Sequence, residues 1–186
     1  MVETFSSVLP ADLEAQIHQV LQILLDRRLT IATAESCTGG LLSSILTDVD
    51  GYGRVFERGF VTYSEAAKIE LLGVAPEILE SEGAVSEATA TAMAQGALNH
   101  SKADIAVAVT GFAGPAGPHD TPGLVHFACL RRGGRLDHRR EEFGKRGRGD
   151  VRIAALRTAV AMLGEAADGR RPQPGARKPG FRRPGR

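Results

Sequence analysis

The sequence predicts an α/β fold, a single three-layer α/β/α domain built on a mixed sheet. Amphipathic helical segments alternate with short apolar segments rich in β-branched residues, a pattern typical of helices packed on both faces of a sheet. A chain of 186 residues has room for one domain and little more. We therefore expect one domain over residues 1–167, followed by a basic tail over residues 168–186.

Capping residues and periodicity predict the helices. Pro10 and Asp12 open an amphipathic first helix, and a second helix is expected to begin near Thr38. Ser64 and Ser86 are placed as N-caps of two later helices, because a serine hydroxyl accepts a hydrogen bond from the first turn. Two further helices are expected, one beginning at residue 76 and a closing one over residues 150–164.

Five strands are predicted from their apolar and β-branched residues. Three are expected over residues 29–34, 55–63 and 104–110. Residues 124–131 and 136–143 are expected to form a hairpin joined through Gly133-Gly134.

Composition excludes several classes of protein. The two cysteines, Cys37 and Cys129, are too few for a disulfide framework. No cationic and apolar leader follows Met1, and no apolar run approaches the roughly 20 residues that span a bilayer. We therefore expect a soluble cytoplasmic protein with reduced thiols and no membrane partner.

Charge is divided unevenly along the chain. Residues 168–186 carry a net charge of +6, whereas the residues before them carry −5. This tail is rich in proline and glycine and has one aromatic residue, Phe181, so we expect it to be disordered. Weak contact of the tail with nucleic acid or acidic proteins stays open, but a solvated extension without a specific partner is the favoured interpretation.

Small and hydroxyl-bearing residues follow three predicted strands. They begin at Ser36, Thr62 and Thr110, and Thr110 is followed by the glycine-rich loop Gly111-Phe-Ala-Gly-Pro-Ala-Gly. Ligands bind α/β sheets at the carboxyl ends of the strands, so we expect the three loops to converge on one crevice. The glycine-rich loop lacks P-loop and dinucleotide signatures, and it is either an approach to an anionic or ribosyl ligand or a plain connection.

Ser36 is the first candidate for chemistry. It lies where a strand turns into a helix, with Thr38 as the expected cap and Gly39-Gly40 in the first turn. A hydroxyl there can attack a carbonyl carbon while nearby N–H groups bind the oxyanion, and the same geometry can bind phosphate without chemistry. That Ser36 and Thr38 merely cap a helix is an equally open interpretation.

A serine nucleophile requires a base, and two residues are candidates. His119 lies in the long loop beside Asp120, whereas no two of the five histidines show metal-ligand spacing. Lys68 lies one helical turn beyond Tyr63, but a lysine must be desolvated or placed near other cations to accept a proton. Periodicity alone favours a solvated surface position for Lys68. Cys37 is interpreted as a small packing residue, since no histidine is assigned to it.

Four segments of the chain resemble the CinA C-terminal domain family. They read TAESCTGGLLSSILTDVDG, FERGFVTYSEAAKIELLGV, GAVSEATATAMAQGAL and AVTGFAGPAG, in family order and with family spacing, within a resemblance that spans roughly residues 13–163. The resemblance implies the activity of a nicotinamide-nucleotide amidase. Such an enzyme hydrolyses the carboxamide of nicotinamide mononucleotide to nicotinate mononucleotide and ammonia, without a metal or organic cofactor.

The resemblance also implies roles for individual residues. Ser36 matches the family serine, Tyr63 and Lys68 match its tyrosine and lysine, and Thr110 matches its strand-end threonine. By this resemblance Lys68 is the base that accepts the proton of Ser36, and Lys68 or Tyr63 protonates the departing ammonia. The expected catalytic residues are therefore Ser36, Lys68 and Tyr63.

The stretch before the last helix departs from the family pattern. Family members usually have Phe-x-Gly-Asp-Arg, whereas this chain reads FGKRGRGDVR, and aligning Val151-Arg152 puts Arg148 on the family arginine. If that arginine helps to bind the substrate phosphate, either Arg148 or Arg146 can take the role, and the sequence does not choose between them. Leu124 also stands where a small polar residue is usual. The expected substrate-binding residues are Thr38, Gly39, Thr110, Gly111 and Arg148.

Two other functions stay open beside the amidase. One is a non-catalytic module that binds nucleotides or proteins and is linked to competence or DNA damage, and the other is an amidase for another small amide. The joint presence of Ser36, Tyr63, Lys68 and Thr110 favours an enzyme, because a binding module has no need of a Ser-Lys pair. A homodimer is expected by analogy only.

Overall fold

Five strands form one sheet in the structure of the protein, a computed structural model that describes residues 9–114, 117–118 and 120–169. The strands are β1 (Ile31–Glu35), β2 (Phe56–Val61), β3 (Ile105–Gly111), β4 (Leu124–Arg131) and β5 (Leu136–Glu142). Their spatial order is β2-β1-β3-β4-β5, with β2, β1 and β3 parallel and β3, β4 and β5 antiparallel. The predicted mixed sheet and its hairpin are therefore confirmed.

Helices cover both faces of this sheet. They are α1 (Ala11–Asp26), α2 (Leu41–Thr47), α3 (Glu65–Leu72), α4 (Pro76–Glu82), α5 (Glu87–Asn99) and α6 (Arg148–Asp168). Strand β3 shows the division, because Val107 packs in the apolar cluster with α1, α2 and α6, whereas Ala106 packs in the cluster with α3, α4 and α5. Alternate side chains of a strand point to opposite faces, so the fold is the expected three-layer α/β/α arrangement.

Both predicted serine caps are confirmed. Ser64 Oγ accepts a hydrogen bond from the N–H of Ala67, and Ser86 Oγ accepts one from the N–H of Thr89, each at 3.1 Å. Gly73 then ends α3 in the left-handed conformation, with φ of 65°. These two caps fix the N-terminal ends of α3 and α5.

Two predicted helix boundaries are wrong. The second helix begins at Leu41, not near Thr38, because Gly39 and Gly40 take positive φ angles that hold the chain in a turn. The closing helix is longer than residues 150–164, since it begins at Arg148 and continues past Gly164, which packs against Val20, to Asp168. Residues 170–186, most of the predicted tail, lie outside the described residues.

No helix within the described ranges combines the length and the apolar character that crossing a bilayer would require.

Candidate active site

The carboxyl ends of the three parallel strands meet at one cleft, as the loop chemistry predicts. Glu35, the last residue of β1, pairs with Val61 of β2 and Val109 of β3. The residues that follow these positions therefore lie side by side around a space of about 270 Å³. Six of the sequence candidates line this cleft: Ser36, Tyr63, Lys68, Thr110, Gly111 and Arg148.

Ser36 and Lys68 form a buried pair in this cleft. Lys68 Nζ donates hydrogen bonds to Ser36 Oγ at 3.1 Å and to the carbonyl oxygen of Thr62 at 2.7 Å. The Lys68 side chain is 0% exposed although it stands on a short surface helix, and this burial lowers the pKa of its ammonium group. The structure thus gives Lys68 the desolvated position that a lysine base requires, which helical periodicity did not indicate.

Residues 36–39 form the turn that presents Ser36, here named the nucleophile turn. The N–H of Ser36 donates to Val109 O, the N–H of Gly39 donates to Ser36 O, and the N–H of Gly40 donates to Glu35 Oε2. The N–H groups of Cys37 and Thr38 donate to no carbonyl or carboxylate of the residues that the structure describes. Neither N–H group is therefore paired within the described backbone, and that of Cys37 belongs to a residue that lines the cleft next to Ser36.

Thr38 and Gly39 do not line the cleft. Thr38 is buried and its Oγ1 has no hydrogen-bond partner among the described residues, so it is not the cap of α2. Gly40 takes the N-cap position without a side-chain hydrogen bond. Gly39 is exposed, with φ of 61°. Both residues belong to the nucleophile turn, and the expectation that they bind substrate stays a prediction.

Glu35 is a structural residue of the site that the sequence analysis missed. Its buried carboxylate accepts four hydrogen bonds, from the N–H groups of Gly40, Leu42 and Ser43 and from Ser43 Oγ. It takes the role that the sequence assigned to Thr38, because a carboxylate satisfies the free N–H groups at the start of a helix. The next residue is Ser36, so this cap also anchors the backbone at Ser36.

Thr110, Gly111 and Tyr63 complete the walls of the cleft. Thr110 Oγ1 donates to the carbonyl oxygen of Ala84 at 2.6 Å, which ties the end of β3 to the segment before α5. A Cβ at Gly111 would lie 2.6 Å from Leu124 O, so only glycine fits this close approach of two strands. Tyr63 is 67% exposed and stands at the rim.

A positively charged groove adjoins the cleft. Arg148 belongs to both spaces, and Gly114 lies so close that a Cβ there would stand 2.5 Å from Arg148 Nη2. Lys145 and Arg146 line the groove, of about 590 Å³, but not the cleft. Of the two arginines that the sequence left open, Arg148 is therefore the one beside Ser36.

Two candidates remain from the sequence, Cys37 as a nucleophile and His119 as a base. Cys37 is buried and desolvation raises the pKa of its thiol to about 12, opposite to the thiolate character of a reactive cysteine. His119 lies outside the described residues. Within the described part of the chain, no cluster of three or more histidine, cysteine or carboxylate side chains has the geometry of a metal site.

Two histidines meet in the sheet, which their sequence spacing did not indicate. His126 Nδ1 and His138 Nε2 lie 3.1 Å apart across β4 and β5, and His138 Nδ1 is 3.4 Å from Glu87 Oε2. Burial, His138 and Arg140 lower the pKa of His126. Neither histidine lines the cleft of Ser36 and Lys68.

Comparison with known proteins identifies the family. The model of the CinA C-terminal domain matches residues 13–167. The chain belongs to the CinA C-terminal domain family. This confirms the resemblance found from the four sequence segments.

Relatives in the CinA family share both sequence and fold with this chain. The solved competence/damage inducible protein CihA from Agrobacterium tumefaciens is 44% identical, with a TM-score of 0.82 over 86% of this chain and 98% of that protein. A CinA superfamily protein from Klebsiella pneumoniae is 36% identical, with a TM-score of 0.80 over 84% and 98% of the two chains.

The curated relatives are much longer than the segment they share with this chain. A CinA-like protein from Chlorobaculum tepidum is 58% identical over 98 residues, which are 53% of this chain and 23% of that relative. A CinA-like protein from Synechococcus is 44% identical over 156 residues, which are 82% of this chain and 37% of that relative. The chain therefore matches only part of each relative.

Proposed function

We propose that this CinA domain is a nicotinamide-nucleotide amidase, which hydrolyses the carboxamide of nicotinamide mononucleotide to nicotinate mononucleotide and ammonia. One observation carries the proposal: Lys68 Nζ lies 3.1 Å from Ser36 Oγ while the lysine side chain is fully buried. A nucleophile and a base within hydrogen-bond reach are the signature of covalent catalysis. A module that only binds its ligand has no use for a buried lysine against a serine.

The first half of the reaction forms an acyl-enzyme. Neutral Lys68 accepts the proton of Ser36, and Ser36 Oγ forms a bond to the carboxamide carbon. The carbon–nitrogen bond then breaks, and the nitrogen takes a proton either from Lys68 directly or from Tyr63, which Lys68 then reprotonates. Ammonia leaves and Lys68 is neutral again. In the second half, water attacks the ester carbon, gives a proton to Lys68, and releases the nicotinate product while Ser36 recovers its proton.

The nucleophile turn supplies the electrostatic part of the mechanism. The N–H groups of Cys37 and Thr38 are the donors directly after Ser36 that no carbonyl or carboxylate of the described chain occupies. In the tetrahedral intermediate they stabilise the negative charge on the former carbonyl oxygen. Preorganised donors of this kind are worth about 10²–10³ in kcat.

Arg148 and the adjoining groove give the substrate its orientation. Arg148 lines the cleft together with Ser36, and Lys145 and Arg146 extend the positive charge away from it. A substrate with its amide at Ser36 therefore places its phosphate toward Arg148, where a guanidinium can bind it with two parallel hydrogen bonds.

An amidase for a different anionic amide is the second candidate function. The observation that favours it is the loop at residues 144–148, where Lys145 and Arg146 place two cations beside the cleft in a stretch that departs from the family pattern. The chemistry at Ser36 would be the same, and only the preferred substrate would differ.

Ammonia release by the purified protein tests the proposal. Wild-type protein is incubated with nicotinamide mononucleotide, beside Ser36→Ala, Lys68→Ala and the control Lys102→Ala, which changes an exposed lysine. We expect release by wild type and the control and none above background by the other two, with circular dichroism unchanged. Ammonia release that survives Lys68→Ala would show that Lys68 is not the base and would make His119 the next candidate. Well-folded wild type that releases ammonia only from other amides would support the second candidate.

A further inference from the structure

Three buried side-chain atoms within the described residues have no hydrogen-bond partner, and all three belong to the surroundings of Ser36. They are Thr38 Oγ1, Thr62 Oγ1 and Arg152 Nε. Buried polar groups are nearly always paired, and each unpaired one in a native structure needs an explanation, such as stored strain or a catalytic role. Thr38 is part of the nucleophile turn, and Thr62 provides the carbonyl that binds Lys68. Arg152 is the member of this set with no role assigned so far.

Arg152 reaches the nucleophile turn from α6. Val151 before it and Ala155 after it pack in the core, so the helix presents Arg152 toward the start of α2. Arg152 Nη2 donates to the carbonyl oxygen of Thr38, which also accepts from the N–H of Leu41. The guanidinium packs against Gly39, where a Cβ would lie 2.9 Å from Arg152 Nη2. The Arg152 guanidinium therefore occupies space that a side chain at position 39 would take.

The Arg152 charge acts on the same few atoms as the proposed chemistry. Its positive charge acts to lower the pKa of the neighbouring thiol of Cys37, which lies between Ser36 and Thr38 in the chain. Its hydrogen bond fixes the peptide plane that follows Thr38. That plane carries the N–H of Gly39, which donates to Ser36 O, so Arg152 holds the turn closed on Ser36. Its charge also favours negative charge developing beside the turn.

We propose that Arg152 is a positioning residue for the nucleophile turn, and that it sets the orientation of Ser36 and of the two following N–H groups without touching the substrate. The proposal rests on the amidase function proposed above. Arg152 is not among the residues that line the cleft, so its loss should affect the chemical step and leave ground-state binding by Arg148 intact.

Substitution of Arg152 separates positioning from folding. We expect Arg152→Gln to lower kcat by about 10²-fold, the cost of a displacement on the order of 1 Å, with KM close to wild type. Arg152→Lys should recover much of the loss, because an ammonium group can still donate to Thr38 O. The control is Arg157→Gln on the same helix, which removes an exposed ion pair with Asp12.

A second pair of variants tests the contact from the other side. Gly39→Ala places a methyl group against the Arg152 guanidinium, whereas Gly133→Ala introduces a comparable positive-φ strain, at 69°, with nothing within 4 Å. We expect the Gly39 variant to lose kcat as Arg152→Gln does, and the Gly133 variant to keep it.

Labelling with a fluorophosphonate provides a readout that does not depend on the nucleotide substrate. Ser36 Oγ attacks the phosphorus, fluoride leaves, and the rate reports how well Ser36 is presented and activated. We expect slower labelling of Arg152→Gln, in proportion to its kcat. Unchanged kcat and labelling would overturn the proposal. So would a loss of both that Arg152→Lys does not recover and that parallels a fall in thermal stability, since Arg152 would then be structural only.

The same experiment distinguishes failure of the amidase proposal. Wild-type protein that is labelled at Ser36 but releases no ammonia from the nucleotide has a working serine and a different substrate, and the labelling rates still test Arg152. Wild-type protein that is neither labelled nor active has no activated serine, which overturns both proposals.

Discussion

Lys68 Nζ donates to the carbonyl oxygen of Thr62 at 2.7 Å, a shorter contact than its 3.1 Å separation from Ser36 Oγ. A neutral amine has two N–H donors and one lone pair. Because one N–H is directed at Thr62, rotation of the amine is restricted and its lone pair can face the Ser36 hydroxyl. The carbonyl of Thr62 thus orients the amine that we propose as the base.

The pH dependence of the amidase should reveal this lysine. Burial lowers the pKa of Lys68 below the ordinary lysine value of 10.5, so the neutral base becomes populated at lower pH than on an exposed lysine. We expect kcat/KM to rise with pH, with an apparent pKa below 10.5. The measurement is ammonia release across a pH series. A rate that is flat through that range, or that falls as pH rises, would contradict a lysine base.

The same shift affects folding with a defined sign. The unfolded chain binds a proton on Lys68 that the folded protein binds less tightly, so the stability of the fold rises with pH between the lowered value and 10.5. Lys68→Met removes this dependence. Urea unfolding of wild type and Lys68→Met at several pH values should therefore show a smaller pH slope for the variant, and equal slopes would show that Lys68 is not desolvated.

Cys37 should be unreactive although it adjoins the nucleophile. Desolvation raises the pKa of its thiol to about 12, so almost no thiolate exists near neutral pH. We expect iodoacetamide to leave the native enzyme active and Cys37→Ala to keep most of its activity, with both cysteines labelled only after denaturation. Inactivation in step with modification of Cys37 would contradict the assignment of Ser36 as the nucleophile.

Arg148 and Arg146 should differ in their effect on substrate binding. Arg148 lines the cleft, whereas Arg146 lines the adjoining groove. We expect Arg148→Ala to raise KM about tenfold, equivalent to ~1.4 kcal/mol of binding, with a smaller effect of Arg146→Ala. Nicotinamide riboside, which lacks the phosphate, is the control substrate and should not distinguish Arg148→Ala from wild type. Equal effects on both substrates would mean that Arg148 does not bind phosphate.

Glu35 should matter more for stability than any exposed carboxylate. Its four hydrogen bonds all end on one buried carboxylate, and an amide at this position would turn an NH₂ group toward backbone N–H donors. We expect Glu35→Gln to lower the free energy of unfolding by about 2–3 kcal/mol. The control Glu57→Gln removes a local contact with Arg58 and should change it by less than ~0.5 kcal/mol. Urea denaturation followed by circular dichroism measures both.

The sequence predicted the elements of this fold because their signals are local. The hydroxyl of Ser64 caps α3 from three residues away, and the apolar pattern of residues 105–109 is enough to indicate a buried strand. The start of α2 was mispredicted because its cap, Glu35, precedes the helix by six residues and acts through a side chain that usually lies in solvent. Only the turn at Gly39 and Gly40 brings that carboxylate under the helix.

The site could be predicted in part, and the limit is again distance along the chain. Residues that follow strands, such as Ser36 and Thr110, are recognisable from position alone. Lys68 is not, because other elements of the fold bury it, and the periodicity of α3 alone does not indicate that burial. Arg152 is more distant still, since it contacts a residue 114 positions away. Pairing across β4 and β5, which joins His126 to His138, likewise needs the strand register.

The order of strands across the sheet determines how late during synthesis the cleft can form. Ser36 and Lys68 leave the ribosome early, but β1 pairs with β3. Asp104, which directly precedes β3, accepts a hydrogen bond from Thr30, 74 positions earlier in the chain. The far wall of the cleft, with Thr110 and Arg148, comes later still. Because synthesis proceeds from the N-terminus, a nascent chain carries the proposed nucleophile and base before it has the cleft in which a nucleotide is proposed to bind. The proposed hydrolytic activity therefore requires the last helix, and we expect a chain interrupted before α6 to be inactive.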